Sequence, residues 1–252
     1  MLRTQYRLKK EFRSTDFARN FIDIAGGSYD GHEINDLISA FSEFIIFEIP
    51  GESIYSTEDI WKIACRIASS STSMRSTIIT PEIAKRLGEI ALKPNVPTDN
   101  IYSAVTSIHW KYVFFELYKC IETIYYLPWQ FQLKQELGLA VSANQLAKVC
   151  KARIQWRAKE DSSIQALFEL CQAAIFDDSI RAHDLFRDLD ASASQSTFGR
   201  RVYKIRNLLV HQQDYDDTAP LDIQDVQWEA VISFMCEIVD DLYSRFSTEL
   251  NP

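Results

Sequence analysis

The stretch Gly199-Arg200-Arg201-Val202-Tyr203-Lys204-Ile205-Arg206-Asn207-Leu208-Leu209-Val210-His211 decides the reading of this chain. With Phe198 just ahead of it, Val202, Ile205 and Leu209 recur at spacings of four, three and four, one face of an α-helix. That face is expected to point into a bundle core. At about 100° per residue, a second stripe falls on roughly the other side: Gly199, Tyr203, Arg206 and Val210. A small residue, an aromatic and an aliphatic beside an arginine do not suit a helix face in bulk water. The stripe therefore predicts an interface, with Gly199, Tyr203 and Val210 in contact with a second copy of the chain. Asn207 and His211, four apart, sit one above the other beside it.

An arginine and a histidine in fixed relation are the groups that metal-free RNA cleavage requires. The histidine moves a proton near neutral pH. The arginine grips a phosphate through paired hydrogen bonds and stabilises charge building on it. A structural role uses the same residues differently: His211 caps the helix end, and Arg206 pairs with a nearby Asp.

Arg206-Asn207-x-x-x-His211 near the end of a helix resembles the motif of the HEPN superfamily, an Arg followed four to six residues later by a His. A polar residue, often Asn, directly after the Arg belongs to that pattern. By chance a chain of this composition would show Arg-x4-His roughly 0.2 times, and roughly 0.02 times with the Asn required, so the Asn is what makes the match informative. The resemblance implies a dimer of helical bundles that brings two motifs together, and a metal-independent endoribonuclease of toxin, abortive-infection or antiviral type. It implies Arg206 and His211 as the catalytic pair, with Asn207 positioning them. In one branch, paired with nucleotidyltransferase antitoxins, a Tyr two residues after the His is modified with AMP. Here that position is Gln213, so this regulation is not expected.

The chain has 252 residues, 46% of them apolar, enough for one good core or two smaller ones. No run of about eighteen apolar residues occurs, and no charged segment followed by an apolar one opens the chain. A cytoplasmic protein without a membrane partner is therefore expected. The five cysteines are widely spaced and fall in apolar helical stretches, as reduced core residues do. Neither metal-ligand spacing nor a cofactor motif is present, so no metal and no cofactor are expected.

A net charge of −8 argues against a protein that coats nucleic acid generally. Its distribution is uneven. Lys148, Lys151, Arg153, Arg157 and Lys159 form a basic run, and Arg200, Arg201, Lys204 and Arg206 form a second. Asp214, Asp216, Asp217, Asp222, Asp225 and Glu229 then follow without a basic residue. RNA contacts are expected at Arg200, Arg201, Lys204, Lys151, Arg153 and Arg157. Solvated helix faces explain such runs equally well.

The expected fold class is mainly α, with two parts. Residues 1–98 form a smaller, mostly helical region for regulation or docking, and 99–252 a HEPN-like bundle. Residues near 100–126 predict one central helix, with Val105, Ile108, Tyr112 and Phe115 on one stripe and Phe114, Leu117, Ile121 and Ile124 on another. Pro128 is expected to end it. Ser142-Ala-Asn-Gln145 has the form of a capping box opening a helix to about 159. A helix over 163–177 turns Ile164, Leu167, Cys171 and Ala174 inward, the motif helix spans about 196–213, and a final one follows Pro220. Upstream, Thr80-Pro81-Glu82 marks a helix start, and Ser56 to Ala68 has helical spacing. Glu33 to Phe47 fits a helix, although its end reads equally as a strand. Gly26-Gly27-Ser28 marks a turn. His109 is expected in the core or an interface, His183 at the surface and His32 at a helix cap. A nuclease of this kind also requires restraint, so a regulatory or antitoxin protein is an expected partner beside RNA.

Overall fold

Every regular element among the described residues is helical. The computed structural model describes residues 56–72, 74–190, 192–211 and 225–251. Through them run α1 (Thr57–Ser70), α2 (Pro81–Ile90), α3 (Thr98–Thr106), α4 (Trp110–Glu122), α5 (Leu127–Leu137), α6 (Ala143–Ile154) and α7 (Glu160–Leu170). A 3-10 turn at Ala173–Ile175 precedes α8 (Asp178–Ala182), α9 (Gln195–His211) and α10 (Asp225–Arg245). Among these residues no helix is long and apolar enough to cross a membrane. The expected helix at 33–47, the glycine turn at 26–28, His32 and the acidic stretch through Asp222 lie outside the described residues.

Several helix starts are written in short polar side chains. Ser56 and Asp59 form a reciprocal capping box at α1, and Ser142 and Gln145 form another at α6. Thr80 accepts from the Ile83 N–H at 3.4 Å, and Pro81 supplies the first residue of α2. Each such cap contributes about 1 kcal/mol by giving a partner to an otherwise orphaned donor.

The core grows around α10, whose stripe Trp228, Val231, Met235, Ile238 and Leu242 is buried throughout and is continued by the buried Phe246 just past its end. Helix α4 lies along it and buries Val113, Phe114, Leu117 and Ile121. Helix α2 packs on the same helix and is tied there by Arg86 to Glu237 at 2.5 Å and Lys93 to Asp240 at 3.0 Å. Helices α7 and α9 form a close pair. Phe168, Phe176, Phe186, Phe198 and Phe234 join that pair to α10, with ring centroids 5.2–6.3 Å apart. One core contains buried residues from Ala64 to Leu250, so the described residues on both sides of position 98 share it. They belong to one compact unit, Tyr55–Pro252.

Three local expectations are corrected. The segment near 100–126 is two helices, broken at Ser107–His109. There Ser107 Oγ donates to the Ser103 carbonyl at 2.6 Å, and the His109 ring accepts from the Lys111 N–H at 3.2 Å. These side chains offer the backbone partners outside the helical ladder. The break leaves Ile108 and Tyr112 exposed, and makes His109 an exposed cap, which removes the core alternative of the expected core-or-interface placement. Pro128 does not end a helix; it opens α5, where a missing N–H costs nothing. Helix α7 stops at Leu170, so Ala174 is exposed on the 3-10 turn instead of facing inward.

Candidate functional site

Phe198, Val202 and Ile205 are fully buried, and Leu209 packs partly against the core. Their face fixes the rotation of α9 and so decides where the polar residues go. Gly199 lies against α7: a Cβ there would come within 2.9 Å of the Ile164 carbonyl oxygen and 3.1 Å of the Phe168 ring. The missing side chain thus serves a helix–helix approach within the chain, which corrects its assignment to a contact between copies. Tyr203 is half-buried against the same core, and Val210 is 46% exposed.

Arg206 points at α4. Its Nη1 donates to Asn207 Oδ1 at 2.9 Å, and its Nη2 lies 3.7 Å from Glu122 Oε1. The guanidinium also sits over the Tyr118 ring, 5.7 Å from the centroid. Behind that ring Tyr125 Oη donates to Tyr118 Oη at 2.5 Å, with both side chains buried. The arginine is thereby held by an amide, a carboxylate and an aromatic face while remaining partly open to solvent. His211 is the last residue of α9, one turn beyond Asn207.

Glu122 is half-buried, and burial raises its carboxyl above the ordinary value of 4.5. Arg206 opposes that rise, Glu160 adds to it, and Lys119 opposes it weakly. Glu116 and Glu122, six apart in the sequence, face different ways on α4 and do not form a carboxylate pair. The partner that matters is 84 residues downstream, and only the α4–α9 contact reveals it.

Beside Glu122 opens a groove of about 600 Å³. Its walls are Glu122, Tyr125 and Tyr126 from the α4–α5 turn, Asn144, Ala147, Lys148 and Lys151 from α6, and residues 156–158 and Glu160. Burial pushes the Tyr126 hydroxyl up to about 12, so it remains a neutral donor across the working pH range. Two of the predicted RNA-contacting residues, Lys151 and Arg157, meet here, together with Lys148. Arg153 is exposed on α6 outside that wall.

The cations around the motif do not join this patch. Arg200 is turned toward α7, donating to Gln165 Oε1 at 3.0 and 3.3 Å. Arg201 pairs with Asp188, and Lys204 is exposed and adds to the positive field at the same carboxylate. Helical rotation separates them: positions 200, 201 and 204 project away from the side that Arg206 occupies. The basic run at the motif is therefore divided among Gln165, Asp188 and Glu122 as neighbours.

The remaining candidates are structural. His183 is half-buried instead of lying free at the surface. Its Nδ1 accepts from the Leu185 N–H at 3.2 Å, which places a proton on Nε2, the donor to the Gln227 carbonyl at 3.1 Å. All five cysteines carry free thiols, four of them buried, and burial pushes Cys65 and Cys236 up to about 12. Such thiols are unreactive at neutral pH. Among the described residues, no three His, Cys, Asp or Glu side chains are grouped to hold a metal ion. No protein-family model, curated protein or solved structure matches this chain.

Proposed function

We propose that this chain is a metal-independent endoribonuclease of HEPN type, acting as a homodimer in which two Arg206–His211 pairs share one cleft. The supporting observation is the setting of Arg206. It is a partly exposed guanidinium on the motif helix, hydrogen-bonded by the adjacent Asn207 and 3.7 Å from Glu122, which lines a groove together with Lys148, Lys151 and Arg157.

In this mechanism one His211 takes the proton from a ribose 2′-hydroxyl, and that oxygen attacks the neighbouring phosphorus. The phosphorus–O5′ bond breaks as the new bond forms. Arg206 holds the non-bridging oxygens as charge accumulates. The second His211, or water, gives a proton to O5′. The products are a 2′,3′-cyclic phosphate and a 5′-hydroxyl. A toxin or antiviral role, in the cytoplasm and under a regulatory partner, accompanies the proposal at the level of the family resemblance alone.

A second reading draws on the 3.7 Å contact between Arg206 and Glu122: a dimer that binds RNA without cutting it, its arginine restrained by a carboxylate. End-labelled structured RNA incubated with the protein in EDTA separates the two. Cleavage to cyclic-phosphate ends is expected, with a loss of at least about 100-fold in Arg206→Ala and His211→Ala. Cleavage abolished by EDTA, or 3′-hydroxyl products, would overturn the mechanism. Binding without any cleavage by the folded dimer would leave the second reading.

A further inference from the structure

We propose that the groove between α6, the segment 155–158 and the α4–α5 turn is a binding site for a nucleoside phosphate, held by its phosphate and by its base. The inference deepens the RNA reading and rests on it only for where the nucleotide comes from. The site chemistry rests on the groove.

Asn144, Ala147, Lys148 and Lys151 recur at spacings of three, one and three, so they share one face of α6. Helix α6 ends because Gln155 adopts a left-handed conformation, φ 53°, and the Trp156 N–H returns to the Cys150 carbonyl at 3.3 Å. That reversal brings Trp156 and Arg157 into the lining of the groove, which Tyr125 and Tyr126 also line. The groove therefore combines aromatic surface with three cations, in a volume suited to a small ligand.

Its cations and two of its aromatic polar groups are uncommitted, whereas Asn144, Tyr125 and Glu122 are held by Leu250, Tyr118 and Arg206. Among the described residues, Lys148, Lys151 and Arg157 form no ion pair. The half-buried Trp156 indole and the Tyr126 hydroxyl likewise have no hydrogen-bond partner among the described residues. The comparably large groove between α2 and α10 differs in this respect, since its Arg86, Lys93 and Arg245 are paired with Glu237, Asp240 and Asp241.

The lining also selects among anions. Glu122 and Glu160 stand in the same wall and disfavour a bare phosphate. They accept hydrogen bonds from ribose hydroxyls or an exocyclic amine, so a ligand with an anionic end and neutral donors fits both halves. Base stacking on Trp156 or Tyr126 supplies the apolar part.

The test uses the full chain carrying Arg206→Ala, so that cleavage plays no part in the readout. Calorimetric titrations with AMP, with a short single-stranded oligoribonucleotide and with pyrophosphate form its three arms. Binding of AMP identifies a free nucleotide as a source, and binding of the oligonucleotide alone identifies RNA. In either case Lys148→Glu with Lys151→Glu, both exposed, is expected to weaken binding at least about tenfold. Trp156→Ala should weaken nucleotide binding about tenfold and leave pyrophosphate unaffected, with Trp156→Phe largely restoring it. The proposal is overturned if neither nucleotide nor oligonucleotide binds, if the lysine changes have no effect, or if pyrophosphate binds as tightly as the nucleotide. Nucleotide binding in a protein whose wild type cuts no RNA would leave this site standing and remove only the nuclease.

Discussion

The guanidinium of Arg206 meets an amide, a carboxylate and a ring face, and the three differ in what they do to it. Asn207 fixes its orientation without competing for a phosphate, and Tyr118 supports its charge through the ring quadrupole. Glu122 alone competes. At 3.7 Å the contact is long and partly solvated, so it contributes only about 0–1 kcal/mol, and an incoming phosphate can displace it. Replacing the carboxylate should therefore free the arginine: Glu122→Gln is expected to tighten RNA binding about two- to fivefold, measured by titration at low salt. Weaker binding would mean that Glu122 positions Arg206 for its ligand. The same residue gives a pH dependence. Its folded carboxyl titrates above 4.5, so the folded state holds the proton more tightly than the unfolded chain. The stability this contributes is complete below 4.5 and is lost as pH rises through the raised folded value. Thermal melts should show Glu122→Gln at least as stable as wild type at neutral pH, with the decline between 4.5 and neutrality reduced.

Helix α9 is positioned by its buried face, and its polar face follows. Phe198 is fully buried and touches three other phenylalanine rings. Phe198→Ala should cost about 3–5 kcal/mol in chemical denaturation, by lost transfer energy and a cavity between α7 and α10. Gly199→Ala should cost about 1–3 kcal/mol, because the obstructing atom is the Ile164 backbone oxygen and cannot turn aside. Full stability in that variant would mean that α7 shifts freely. These two neighbours also show what the sequence discloses. Period made the face of Phe198, Val202 and Ile205 legible, and capping residues made the starts of α1, α2 and α6 legible, since both are local properties. The role of Gly199 was not, because a small residue records a close approach without recording which surface approaches. Nor was the break at Ser107–His109, where two side-chain hydrogen bonds override an apolar pattern that continues through it. Arg206 and Asn207 were readable as a motif, whereas Glu122 and Tyr118 came from a distant helix and left no trace near it.

Across the whole molecule, the candidate site depends on helices from both sides of position 98. Arg206 rests on α4, α4 packs along α10, and α10 is covered by α2 through Arg86–Glu237 and Lys93–Asp240. The C-terminal end is tied back as well, with Asn95 Nδ2 donating to the Ser247 carbonyl at 3.2 Å. The residues buried by α1, α2 and the approach to α3 include Cys65, Ala68, Ile79, Ile83, Ala84, Leu87 and Ile90. Removing them would bare an apolar face of α10 and α3 too large for a soluble monomer to leave open. A fragment over 99–252 is therefore expected to lose cooperative thermal unfolding or to aggregate, although it retains the whole motif. A fragment over 55–252 keeps every contact described above and should melt in one transition. Circular dichroism and sedimentation of the two decide the matter. If 99–252 folded as a stable bundle, α1 and α2 would be an accessory layer, and Arg206 would owe its geometry to α4, α7 and α10 alone.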